Sequence, residues 1–227
     1  PRLALLLCFG FIAFLFYRDR ARGDRISSAV WIPLLWVFII ATKPITLWFG
    51  GNAIATSGDA ASEGSPADRL LFLGLIVAGL IVLVRRRLDW HRIVRRNWWF
   101  GVFCLYLGLS TLWSDYTAVA FKRWIKDMGN VVMVLVVLSG PNPVADLKAL
   151  LVRCCYLVVP LSVVLIKYFP NIGRYYSPWG GNGQHCGVTT DKNMLGMTLF
   201  ACALTLIWVF LDLRLKHRFK RAKLDHA

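Results

Sequence analysis

Seven apolar blocks, at about 3–17, 29–49, 70–84, 98–113, 128–138, 150–169 and 194–213, constrain this chain more than any other feature. A bilayer core of about 30 Å takes about 20 apolar residues of α-helix to cross, and most of the blocks approach that length. Two fall short alone. The block at 128–138 reaches span length if its helix starts near Thr117, and the block at 70–84 does so by drawing in 66–69. Composition agrees, with 57% of residues hydrophobic and 17% charged, against about a half and about a quarter in a soluble domain. The fold class read from this pattern is all-α, a polytopic transmembrane helical bundle of about seven spans forming a single transmembrane domain over 1–227, and a soluble globular domain is excluded.

The formal charge of +15 would suit a nucleic-acid binder, but its placement argues otherwise. Arg18, Arg20, Arg22 and Arg25, then Arg85, Arg86, Arg87, Arg92, Arg95 and Arg96, then Arg214, Lys216, Arg218, Lys220, Arg221 and Lys223 all sit beside apolar blocks. Cytoplasmic flanks of membrane helices have this pattern under the positive-inside rule, so no nucleic acid is assigned as a partner. With those flanks inside, alternation puts outer loops near 50–68 and 170–191, and a short outer link at 114–116. The first of these holds Asp59, Glu63 and Asp68 and no lysine or arginine. Trp31, Trp48, Trp98, Trp99 and Trp113 fall near block ends, where aromatics anchor helices in the interface.

Five of the six cysteines lie in apolar blocks, and only Cys186 falls in a polar loop. Beside it, His185 has no companions at zinc-ligand spacing, so neither a metal nor any other cofactor is assigned. The chain opens on Pro1 with a short apolar block, followed by charged residues and no small-residue cleavage site, which reads as the interior of a longer protein and not as a signal peptide.

A second set of cations departs from the positive-inside rule. Lys43, Lys122, Arg123, Lys126, Lys167, Arg174 and Lys192 fall at outer ends of blocks or in the outer loop after Phe169. Ionisable groups in or beside hydrocarbon are costly and tend to mark function, and an anionic ligand at the outer leaflet would account for them. Lys43 and Lys167 also fit simple snorkelling, stem in lipid and ammonium in water. Arg123 and Asp127, four residues apart, can pair on a helix. Lys122 and Lys126 share a helical face with no acid between them, which suits a phosphate contact.

The densest local pattern is IKYFPNIGRYYSPWGGNGQHCGVTTDKNMLG at 166–196. Pro170 closes one helix, and a glycine-rich aromatic loop with Arg174, Tyr175, Tyr176 and Trp179 follows. Thr189, Thr190 or Asp191 can cap the next helix, whose positive N-terminal end faces outward. Lys192 in its first turn opposes that dipole, an arrangement that makes sense where a diphosphate binds.

Three stretches, EGSPADRLLFLGLIVAGLIVLVRRR at 63–87, LSTLWSDYTAVAFKRWIKDMGNVVMVLVVL at 109–138, and IKYFPNIGRYYSPWGG with GVTTDKNMLG within 166–196, resemble the O-antigen ligase and polysaccharide polymerase family, especially its exopolysaccharide-polymerase branch. The resemblance implies a GT-C-like enzyme of the bacterial inner (cytoplasmic) membrane. Such an enzyme takes a polyprenyl-diphosphate-linked glycan as donor and passes the glycan, on the periplasmic face, to a glycan or lipid acceptor without a metal. Arg174 matches a diphosphate-holding arginine of the family, and Lys192 with Asn193 matches its KN pair. Lys122, Arg123 and Lys126 join the diphosphate-binding set. Asp191, Asn193, Tyr175, Tyr176 and Trp179 support the site, the aromatics as partners for sugar faces or prenyl chains.

The chain departs from the family by stopping one helix after the KN pair, before the later periplasmic loop that supplies a catalytic base, so it reads as an amino-terminal portion truncated at both ends. His91, His217 and His226 fall on the cytoplasmic side, leaving His185 as the candidate catalytic base. A transporter or flippase for lipid-linked sugars, or an inactive fragment acting as a scaffold, are the alternatives. The first requires a polar pathway through mid-membrane.

Overall fold

The computed structural model describes residues 1–20, 26–44, 48, 66–176 and 183–225, with side chains placed as far as 215. The protein is mostly helical. Helix α1 is Arg2–Arg20, α2 is Trp31–Ala41 behind a 3-10 turn at Ser28–Val30, α3 is Pro66–Arg85, α4 is Trp90–Arg96 and α5 is Trp98–Ser110, continued by a 3-10 turn at Thr111–Trp113. Then come α6 at Thr117–Leu138, α7 at Pro143–Tyr168, α8 at Pro170–Gly173, the strands β1 at Arg174–Tyr175 and β2 at Gln184–His185, and α9 at Lys192–Asp225.

Among the described residues three helical stretches are long and apolar enough to cross a membrane: Pro66–Arg85, Pro143–Tyr168 and Lys192–Leu215. Their surfaces say which solvent they face. Along α3, Leu70, Leu73, Val77, Leu80 and Val84 are exposed, and along α9 so are Met197, Phe200, Leu204, Ile207 and Leu211. At spacings of three and four these form continuous apolar stripes, the feature that in a soluble helix would be turned inward. Removing one such side chain from water is worth about 1.5–3 kcal/mol, and lipid satisfies that demand along the whole stripe. The protein is a membrane protein.

Several sequence expectations are corrected. Within the block at 29–49 helix α2 ends at Ala41, because Pro44 biases the residue before it away from helix. The basic segment after α3, read as a cytoplasmic flank, contains the short helix α4. Pro170 does not simply close a helix: Phe169 breaks the chain and Pro170 opens α8, where its missing N–H is no loss. Among the described residues two short strands stand beside the helices. The start of α6 at Thr117 and the extension of α3 back to Pro66 fall where the sequence put them. Most of the outer loop read at 50–68 lies outside the described residues.

The chain divides into two compact units, one of Pro1–Arg25, Val37–Lys43 and Leu147–Ala227, the other of Ile26–Trp36 and Pro44–Asp146. In the second unit α3 packs along α6. Gly79 makes the close approach possible, since a Cβ there would lie 2.8 Å from Val132 Cγ1. Trp36 is the large buried centre: its ring meets Phe72 edge-on at 4.9 Å, and its Nε1 donates to Asn130 Oδ1 at 2.8 Å. Gly129 leaves the room that its six-membered ring fills. Arg86 closes one end by donating to Val136 O at 2.6 Å, Ser139 Oγ at 2.7 Å and Ser27 Oγ at 2.8 Å, while Ser27 N donates to the buried Asp146 at 2.9 Å.

In the first unit Leu150, Val152, Cys154, Cys155, Val158 and Leu165 of α7, Cys8 and Ile12 of α1, and Leu195 and Cys202 of α9 are buried, and Cys155 Sγ lies 3.8 Å from Cys202 O. Phe16 and Tyr156 meet edge to face at 6.0 Å. Buried Arg153 donates from Nε to Asp19 at 2.9 Å, and Lys148 pairs with Asp212. Each ion pair lets an apolar helix carry a charge that would otherwise be expensive to keep there.

Candidate functional site

The segment from the end of α7 to the start of α9 is held together by backbone contacts that only small residues permit. At Gly173 a Cβ would sit 2.6 Å from Ile166 N and closer still to Leu165, so the turn of α8 folds directly onto the last turn of α7. Gly173 O then accepts from Cys186 N at 3.0 Å and Gly187 N at 2.9 Å, which ties the two sides of the loop at its base. Gly187, at φ +55, adopts the left-handed conformation that glycine tolerates best and lies against Ser162 of α7. From this base the strands run as an antiparallel pair with Arg174 opposite His185 and Tyr175 opposite Gln184.

Beneath the pair lies Lys43. Its backbone N–H donates to Val188 O at 2.8 Å, its ammonium donates to Ile172 O, and Cys186 Sγ is 3.5 Å from Nζ. The side chain is 8% exposed, which corrects the snorkelling reading. Lys43 straps both sides of the loop from below and does not reach for solvent. Cys186, read as a polar-loop residue, is buried beside it.

Asp191 is the cap of α9. Its Oδ1 accepts from Asn193 N at 2.8 Å and Met194 N at 2.9 Å. Those bonds, that to Met194 first and those to Asn193 and the Thr190 hydroxyl after it, hold the carboxyl below its ordinary range. Thr189 is buried, with Oγ1 2.8 Å from Cys186 O and 2.9 Å from Asp191 O, and braces the approach to the helix. This changes one expectation. Two N–H groups at the helix end read as a diphosphate site are taken by Asp191, so the cation available at this helix start is the Lys192 ammonium, which is exposed beside Asn193. Among the described residues the Lys192 side chain makes no hydrogen bond or ion pair.

Arg174 is half-buried, and its Nε donates to Ile166 O at 3.2 Å, capping the carboxyl end of α7. The outer guanidinium nitrogens make no further bond among the described residues. His185, Tyr175 and Tyr176 are exposed, and Tyr176 lies over Gly183, where a Cβ would be 2.7 Å from its Cε1. β2 packs against α9, so one local unit gathers Arg174, His185, Tyr175, Tyr176, Asp191, Lys192 and Asn193. Trp179 lies outside the described residues.

Of the remaining cations, Lys122, Arg123 and Lys126 belong to the other unit. They are exposed on the amino-terminal half of α6. Lys126 Nζ stands 4.9 Å from the Phe72 ring centroid, a contact that fixes the direction of its stem while the ring face favours the cation. Trp124, between them, donates from Nε1 to Cys104 O at 3.1 Å and fixes the helix against α5. Among the described residues Arg123 and Asp127 form no ion pair, contrary to what their spacing allows.

Sequence reasoning misread Lys43 and missed Ser162. The pattern that could have found Lys43 is a lysine placed directly before a proline at the end of an apolar run, where the helix must stop and the side chain can turn back under the loop. No family model matches this chain, and no curated protein and no solved structure matches it.

Proposed function

We propose that the chain is a multi-pass protein of the bacterial inner membrane, with about seven spans in a GT-C-like arrangement, that acts in polysaccharide assembly as a polymerase or ligase of the O-antigen ligase kind. Its donor is a polyprenyl-diphosphate-linked glycan and its acceptor a glycan or lipid at the periplasmic face. The observation that carries the reading is the ladder that sets Arg174 opposite His185, with β2 leading to Lys192 at the start of α9.

In this reading the acceptor hydroxyl oxygen attacks the anomeric carbon of the donor, the bond from that carbon to the diphosphate oxygen breaks, and polyprenyl diphosphate leaves. Arg174 and Lys192 offset the charge that gathers on the departing oxygens, the term that dominates many such transfers. His185 takes the acceptor proton. Asp191, by capping α9, sets the helix start that carries Lys192 and Asn193, and Tyr175 and Tyr176 stack on sugar or prenyl groups. The resemblance in the three stretches at 63–87, 109–138 and 166–196 supports the same assignment.

A flippase or transporter for lipid-linked sugars is the second reading; the buried Arg153–Asp19 pair at 2.9 Å joins α7 to the cytoplasmic end of α1 and does not by itself supply the mid-membrane polar pathway that reading needs. Incubating the purified protein in vesicles with a labelled polyprenyl-diphosphate glycan separates the readings. Elongation or transfer supports the enzyme, movement of label between leaflets supports the transporter, and binding without either supports a scaffold.

A further inference from the structure

We propose that the basic face of α4, together with Arg85 and Arg87, is a docking surface for the headgroups of anionic phospholipids. At helical spacing Trp90, Ile93 and Val94 share one side of α4, and His91, Arg92, Arg95 and Arg96 share the other. Apolar residues with a tryptophan on one side and arginines on the other are the pattern of a helix lying in the plane of the interface. Trp98 and Trp99 open α5 just beyond it, their rings tilted by 32° with centroids 3.7 Å apart, and Trp99 is 70% exposed.

Among the described residues the arginines have no internal counter-charge. Asp89 is the only acid in 85–99, and its Oδ1 accepts from Arg92 N at 3.1 Å as the cap of α4. Arg86 turns inward to Val136, Ser139 and Ser27. Among the described residues the side chains of Arg85, Arg87, Arg92, Arg95 and Arg96 make no ion pair or hydrogen bond, and all five are exposed. Guanidinium forks match phosphate oxygens in geometry as well as charge. The tryptophans set the depth at which those forks meet the headgroup layer. A cluster of this size beside a membrane helix draws acidic lipids with about 1 kcal/mol, roughly fivefold, per basic residue.

The test uses the full chain reconstituted in an equimolar mixture of phosphatidylglycerol and phosphatidylcholine, with the lipid retained after mild detergent extraction counted by native mass spectrometry. The unaltered chain should retain phosphatidylglycerol preferentially, and the combined change Arg92→Gln, Arg95→Gln and Arg96→Gln should weaken that preference by roughly fivefold per residue. The corresponding change of all three to lysine keeps the charge and should keep most of the preference. For the unaltered chain the preference should fall as salt is raised. Equal retention of the two lipids, a preference that survives the glutamine changes, or one indifferent to salt would overturn the proposal.

Discussion

Lys43 and Ile172 are joined by a hydrogen bond from a buried ammonium to a backbone carbonyl, and that bond closes the floor under Arg174 two residues further on. The loop's exposed groups therefore stand on a polar strap reaching up from the end of α2. Replacing Lys43 by methionine leaves Ile172 O and its surroundings to reorganise, at a cost of about 1–3 kcal/mol for a buried group deprived of its partner. The buried Cys186 reports the change directly. Its labelling by a thiol reagent should speed up by roughly tenfold or more in Lys43→Met, as local opening becomes easier, and an unchanged rate would remove the strap.

Gly173 and Gly196 make a matched pair. A methyl at Gly173 collides with the backbone of Leu165 and Ile166, whereas Gly196 on α9 faces open space. Gly173→Ala should lower stability by about 1–3 kcal/mol or prevent folding, in line with overpacking of a tight site. Gly196→Ala should be neutral or stabilising by up to about 1 kcal/mol, since alanine suits a helix better. Thermal unfolding of both variants in detergent checks the contrast.

The Asp191 cap gives a pH dependence of known sign. Its folded carboxyl lies below the ordinary value of 3.8, so the cap's contribution is fully present above that value and is lost as pH falls through the lower folded value. Melting curves taken from neutral to strongly acid pH should show this loss in the unaltered chain. Asp191→Asn keeps a capping oxygen and should remove this component of the acid sensitivity, while Asp191→Ala should lower stability at neutral pH as well.

Removal of Arg174 or Lys192 tests the transfer reading at its cations. In an active preparation, Arg174→Ala or Lys192→Ala should reduce transfer from a polyprenyl-diphosphate donor by about 10²–10³-fold, the usual consequence of losing one donor to developing charge. Membrane insertion should be unaffected. Lysine in place of Arg174 should restore only part of the rate, because a point charge replaces a fork. Full activity in both alanine variants would dissolve the proposed site.

How far the sequence could be read depended on whether local rules decided the outcome. Thr117 as the start of α6 was legible because the apolar block behind it was too short to cross alone, and Asp191 was legible as one of three capping candidates. α4 was not, since seven residues hold too few turns for a periodicity to stand out against a run of arginines. The ladder between Arg174 and His185 depends on Gly173 and Gly187 meeting α7, contacts made far apart in the chain that no periodic pattern announces. Lys43 was misread because a lysine at a span end snorkels in isolation, and only the loop folded over it makes the interior the better place. The helix-end donors were assigned to an anion because the sequence showed three possible caps without showing that Asp191 takes two of the N–H groups.

The central claim is that Lys192 and the ladder before it face the outside of the cell. Lys192→Cys, expressed in intact cells and treated with a membrane-impermeant maleimide, measures this most directly, with the unaltered chain as the blank for its native cysteines. Labelling before permeabilisation is the predicted result. Labelling only after the membrane is opened would place the cations in the cell interior and contradict the account.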